Sequence, residues 1–124
     1  PLDKEFSCLT LTNSQDLEGI EELVTALPDV VFHIAAWTDM GEKLKRLAVY
    51  DNVRLHPQIV PPVLDKLKKL TNLYLDINHG SADENFLKSL KCWGMCKNPN
   101  NFKNLLYLEQ LSGTLIEIYC ILGH

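Results

Sequence analysis

Residues 30–36 read VVFHIAA, apolar at every position except His33. Alternate side chains of a strand point to opposite faces, so a run apolar at both parities needs cover on both sides. That is the situation of a parallel strand held inside an α/β layer. The surrounding sequence agrees. FSCLTLT, Phe6 to Thr12, is a short apolar and β-branched run and predicts a strand. Asn13-Ser14 offers a turn and a cap, and Gln15 to Leu27 places Leu17, Ile20, Leu23, Val24 and Leu27 at helical spacing. Asp16, Glu18, Glu21 and Glu22 crowd its N-terminal half, where the helix dipole favours negative charge. Pro28-Asp29 ends it.

After the Trp37-Thr38 loop, with Thr38 or Asp39 as cap, Met40 to Val49 predicts a second helix with Leu44, Leu47 and Ala48 inward. Val53 to Leu55 is a short strand after the Tyr50-Asp51-Asn52 turn. Pro57 to Pro62 is a loop. Val63 to Leu70 is a helix with Leu64, Leu67 and Leu70 on one side, and Leu73 to Ile77 is a fourth strand ending in Asn78-His79-Gly80. Alternating strands and helices with buried-type strands predict an α/β fold: an open parallel sheet, right-handed crossovers and flanking helices. Ligands of such sheets bind beyond the carboxyl ends of the strands.

The last 44 residues differ in character, with three of the four cysteines but only four of the 16 acids. Glu84 to Cys92 suits a helix, Asn98 to Asn104 is an Asn-rich loop, and Thr114 to Leu122 suits either strand or helix. No clean period runs through Leu105 to Leu122, so the expectation is an irregular C-terminal tail.

Composition excludes several classes. The 124 residues carry 12 Lys+Arg against 16 Asp+Glu, a net charge of -4, which is no field for nucleic acid. No apolar run approaches a membrane span. The first residue is not Met, and Pro1 to Thr10 holds no secretory core, so the chain is expected to begin inside a longer product or after processing. The cysteines, at 8, 92, 96 and 120, are too sparse for a disulfide scaffold and read as reduced thiols of a cytosolic protein. Cys92 and Cys96 lack a second ligand pair at zinc spacing, and nothing in the spacing of His79 or His124 supplies one.

There is no glycine-rich dinucleotide fingerprint, Walker A loop, nucleophile elbow or H-E-x-x-H. His33 is either a packed strand residue with satisfied ring nitrogens or a side chain facing a cleft. Asp76 and His79 bracket Asn78 at a strand end. They form either an acid/base couple or a network that fixes a turn at Gly80. Asn13-Ser14 and Gly80-Ser81 precede helical segments, where backbone N–H groups either bind a phosphate or are simply capped. Lys66, Lys68 and Lys69 make a solvated helix face.

The stretches LTLTNSQDLEGIEELVTALPDVVFHIAAWTDMGEKL (9–44), YDNVRLHPQI (50–59) and LYLDINHG (73–80) carry a family resemblance. They resemble the C-terminal half of the GT-B-like, chaperone-like stabilising subunits of bacterial O-GlcNAc transferases. Those transferases modify serine-rich-repeat adhesins before export by the accessory Sec system. The resemblance covers roughly residues 6–80. It implies a Rossmann-like region over 1–80, part of a GT-B C-terminal domain, followed by a divergent tail over 81–124. It implies a non-catalytic subunit, or a fragment of one, that stabilises a catalytic O-GlcNAc transferase and recognises the adhesin polypeptide. UDP-GlcNAc would be used by the partner complex, at the cytoplasmic face of the membrane as a peripheral component.

No catalytic or metal-binding residue carries over from the family. Asn13, Ser14, His33, Asp76, Asn78, His79 and Gly80 are the cleft-lining candidates, with Gln15 and Ile77 among the matching positions. The family proteins are several-fold longer, and the resemblance fades after Gly80. The change of composition there suggests a frame-altered, truncated or chimeric terminus. Sequencing the locus tests this: an in-frame tail matching functional homologues refutes it. Two other readings compete: a GT-B glycosyltransferase domain that binds a sugar nucleotide itself, and a free-standing Rossmann-like module for an unrelated small ligand.

Overall fold

The computed structural model describes residues 6–12, 16–17 and 19–77, and the backbone of 116–120. In chain order the elements are β1 (Ser7–Thr12), α1 (Ile20–Ala26), β2 (Val31–Ala36) and α2 (Glu42–Lys45), which runs into a 3-10 turn (Arg46–Val49). They continue with β3 (Val53–His56), α3 (Pro61–Leu70), β4 (Leu73–Ile77) and β5 (Ile116–Cys120). The strands form one sheet in the order β3-β2-β1-β4-β5. The first four are mutually parallel, as the sequence predicts. β5 departs from that pattern: it pairs antiparallel with β4, Leu73 opposite Cys120 and Ile77 opposite Ile116. The tail expected to be irregular therefore contributes an edge strand. Of the strand and the helix that Thr114 to Leu122 suits, the strand is the one formed, over Ile116–Cys120.

Every position of β1 and of β2 is buried, which accounts for their two-parity apolar sequences. Cys8, Phe32, Ile34, Leu73 and Leu75 face α1 and α2 in the larger core cluster, with Leu23, Val24 and Leu44 opposite them. Leu9, Leu11, Ala35 and Tyr74 face the other way, against Leu64 and Leu67 of α3 and Ile59 of the preceding loop. The sheet is thus doubly wound, α1 and α2 on one side and α3 on the other.

Several boundary and facing predictions change. α1 begins at Ile20, not Gln15, because Gly19 adopts φ 79°, a left-handed entry that a helix interior excludes. Leu17 is buried all the same, from outside the helix. The second helix is α for only four residues and then tightens, and Ala48, predicted inward, is exposed. A turn of three residues keeps Leu47 under Leu44 and swings Ala48 out. Its N-cap is Gly41, not Thr38 or Asp39; Asp39 Oδ1 instead accepts the N–H of Met40 at 2.9 Å.

α3 starts at Pro61, two residues early, since prolines suit a first turn that needs no N–H donors. Leu70 is 64% exposed rather than inward. Six residues past Leu64, it lies roughly 120° off the stripe, whereas Thr71 returns to it. Thr71 is buried and donates its hydroxyl to Leu67 O at 2.7 Å.

Candidate functional site

The strand order runs away from β1 in one direction through β2 and β3, then reverses to β4. The reversal places the topological switch point between β1 and β4, where doubly wound sheets open a crevice for ligands. The backbone registers of β1 with its two neighbours differ. β1 pairs with β2 over six residues, Ser7↔Val31 to Thr12↔Ala36. With β4 the described register is Cys8↔Leu73 and Leu9↔Tyr74. One residue further, side chains take over the seam. Thr10 Oγ1 donates to Leu75 O at 2.8 Å, and the Leu11 N–H points at the phenolic oxygen of Tyr74 at 3.4 Å. Below them Asn72 locks the strand starts together, Oδ1 accepting from Ser7 N and its own N–H donating to Ser7 O, both at 3.0 Å. The seam is tight at the amino ends and held by side chains toward the carboxyl ends.

Thr12 and Ile77 end the two strands, and the segments that follow them contain Asn13, Ser14, Asn78, His79 and Gly80. These five candidates lie outside the described residues, so the predicted Asp76–His79 couple is not placed. Asp76 is described: half-buried in β4, on the α3 side of the sheet with Tyr74, and in register with Glu117 of β5.

His33 goes elsewhere. It sits on β2 with β1 between it and β4, so strand spacing alone keeps it about 10 Å from the Asp76 strand. Its Nδ1 lies 3.1 Å from Nε2 of His56, and the rings stack with centroids 5.3 Å apart at 25°. The register explains the meeting: Arg54 stands opposite His33, His56 opposite Ala35, and all four share the α3 side. His33 is only 9% exposed. Burial, then His56, then Arg54 push its pKa down to about 4. Burial also lowers His56. At neutral pH both rings are uncharged, so one donates its N–H to the other. His33 is thus a buried strand residue whose Nδ1 is partnered by His56. His56, at the carboxyl end of its strand, is not among the cleft candidates that the sequence offers, although two histidines at one parity on consecutive strands are a signal for the pairing.

A concavity of about 460 Å³ opens on the α1/α2 face, between the entry to α1 and the α2 turn. Glu21, Glu22, Lys43 and Arg46 line it, and Lys43 Nζ meets Asp16 Oδ2 at 3.4 Å across exposed ground. Tyr50 donates its hydroxyl to Glu21 at 2.5 Å, and this bond to a carboxylate raises the phenol's pKa. Cys8 is fully buried, which pushes its thiol pKa up and leaves it a core residue. Among the described residues no three His, Cys, Asp or Glu side chains gather into a metal-binding group. No described helix is long and apolar enough to cross a membrane.

Residues 8–87 match the sequence model of the GftB/GlyA-F C-terminal domain. The glycosyltransferase GlyD of Streptococcus pneumoniae is 93% identical over 91 residues, which cover 73% of this chain and 11% of that protein. The UDP-N-acetylglucosamine–peptide N-acetylglucosaminyltransferase stabilizing protein GtfB of the same species is 45% identical over 73 residues, 59% of this chain and 16% of that one. The crystal structure of the GtfA/B complex bound to UDP and GlcNAc superposes with a TM-score of 0.59 at 38% identity, covering 66% of this chain and 18% of the other. The chain thus spans less than a fifth of each protein it resembles here. With the domain model covering residues 8–87 and the sheet matching in space, the chain belongs to the GftB/GlyA-F C-terminal domain family.

Proposed function

We propose that this domain supports protein O-glycosylation without performing the sugar transfer itself. It stabilises a catalytic O-GlcNAc transferase and helps hold a serine-rich adhesin polypeptide, while the transferase uses UDP-GlcNAc. The observation that carries the reading is the distribution of the domain. One segment recurs in a protein named as a stabilizing protein and in one named as a glycosyltransferase, whose lengths differ. A module common to both is more economically a support or recognition element than the seat of the chemistry. The described residues agree in kind: His33 is spent on His56, and Cys8 is buried. The site of action would be the cytoplasmic face of the membrane, as a peripheral component. The test is a pull-down of the 124-residue chain against the catalytic transferase and an unglycosylated Ser-rich peptide, with UDP-GlcNAc binding scored by calorimetry on the same sample. Capture of either protein partner without nucleotide supports the reading. Its absence, with the chain folded, refutes it.

A second reading has its own observation. The 93% identity to a protein named as a glycosyltransferase favours a domain that receives a sugar nucleotide, at the β1/β4 switch point. Tight UDP-GlcNAc binding by the isolated chain, with neither protein captured, selects this reading.

A further inference from the structure

β3 is the outermost strand on its side of the sheet among the described residues. An edge strand presents unpaired backbone groups to any passing chain. In β3 the inward groups are settled by the ladder: Phe32 N donates to Asn52 O at 2.8 Å, so Asn52, Arg54 and His56 face β2. Residues 51, 53 and 55 therefore turn their backbone outward. Val53 N–H is closed by Tyr50 O at 3.2 Å. The two outward carbonyls that remain before Leu55 are both taken by a single side chain. Arg54 Nη1 donates to Val53 O at 3.1 Å and also to Asp51 O. Past the strand, Pro57 brings no N–H. Within β3 the outward edge is reduced to the N–H and C=O of Leu55.

We infer that Arg54 is an edge guard: its guanidinium, folded along β3, occupies the acceptors that a strand from a second copy of this chain would otherwise use. The side chain is suited to the task. Its donors fan out in one plane and reach two carbonyls at once, and its charge repels an identical edge brought alongside. Of the outward carbonyls of this four-residue strand Val53 O is taken and Leu55 O is left, and Asp51 O just before the strand is taken as well, which leaves little for an added strand to pair with.

The test is the self-association of the full chain by analytical ultracentrifugation, with far-UV circular dichroism to confirm folding. Arg54→Thr keeps a strand-forming residue and frees both carbonyls. It is expected to raise the self-association constant by about tenfold or more. Arg54→Lys keeps the charge but not the two-carbonyl clamp, and is expected to fall between Thr and Arg. The double variant Arg54→Thr/Leu55→Pro removes the last outward N–H at a position where an edge strand tolerates proline, and is expected to return the chain toward the parent value. A folded Arg54→Thr chain that associates no more than the parent overturns the inference. So does association that survives Leu55→Pro, because it would then run through another surface.

Discussion

His33 Nδ1 and His56 Nε2 stand 3.1 Å apart on neighbouring strands. The pair makes His33 tolerable inside an otherwise apolar strand, and the same geometry makes it sensitive to acid. The N–H···N contact needs at least one uncharged ring, and a proton added to both sets two cations face to face beside Arg54.

The folded His33 titrates near 4, against 6.5 in the unfolded chain. Between those values the unfolded state binds more protons, so stability rises with pH across the window and is lost as pH falls from about 6.5 toward 4. The half-buried His56 side admits solvent screening, which reduces the effect to on the order of 2 kcal/mol at pH 4.5. Urea unfolding at pH 7 and pH 4.5 measures it. His33→Gln is expected to be less stable than the parent at pH 7 and to lose less on acidification. Equal losses in the two proteins would remove His33 from the acid response.

Asn52 is buried at the end of a turn, and its Nδ2 donates to Val24 O and Leu27 O at 3.1 Å and to Val30 O at 3.0 Å. One amide thereby satisfies carbonyls at the end of α1 and at the entry to β2, where a helix end otherwise leaves acceptors orphaned. Asn52→Ala is expected to cost about 2–4 kcal/mol. Asn52→Asp should cost more, since a carboxylate has no donors and would face three carbonyl oxygens. Urea midpoints at constant m-value test the order. An Asp variant more stable than the Ala variant contradicts this account.

At the switch-point seam, Thr10 and Tyr74 do work that backbone pairing does elsewhere in the sheet. Thr10→Val and Tyr74→Phe preserve shape and are each expected to cost about 1 kcal/mol. Because both bonds bridge the same two strands, the double variant is expected to deviate from the sum of the single ones. Strict additivity in thermal or urea unfolding would mean that the two bonds act independently.

β1, β2 and β4 were legible because burial on both faces writes itself into the sequence as a run such as VVFHIAA, whereas β3, buried only at Val53, was legible from its apolar residues and the turn before it. The helix limits were less so. Gly19 reveals its left-handed backbone only in the fold, and no periodicity separates an α turn at Leu44 from a 3-10 turn at Leu47. Of the candidate site, strand ends can be marked from composition, which is how Asp76 is singled out. Which ends adjoin depends on strand order, a long-range property, so the β1/β4 reversal and the Thr10 and Tyr74 bonds across it were out of reach. Asn52 looked like an ordinary turn residue, because its three acceptors come from a segment more than twenty positions away.

β5 supplies the last prediction. It pairs with β4 at five consecutive positions, from Leu73↔Cys120 to Ile77↔Ile116, and turns β4 from an edge into an interior strand. Residues 73–77 are apolar at four of five positions and carry no guard like the one on β3. A chain cut after Gly80 would expose that edge whole, and apolar edges recruit strands from other chains. The shortened protein is expected to lose several kcal/mol of stability and to elute from size exclusion as oligomers or aggregate, whereas the full chain does not. Substituting Ile118 by Pro in the full chain weakens the same pairing at its central position, opposite Leu75, without altering length, and should reproduce the effect in milder form. A shortened chain as stable and monodisperse as the parent would mean that β4 does not depend on β5 for its cover.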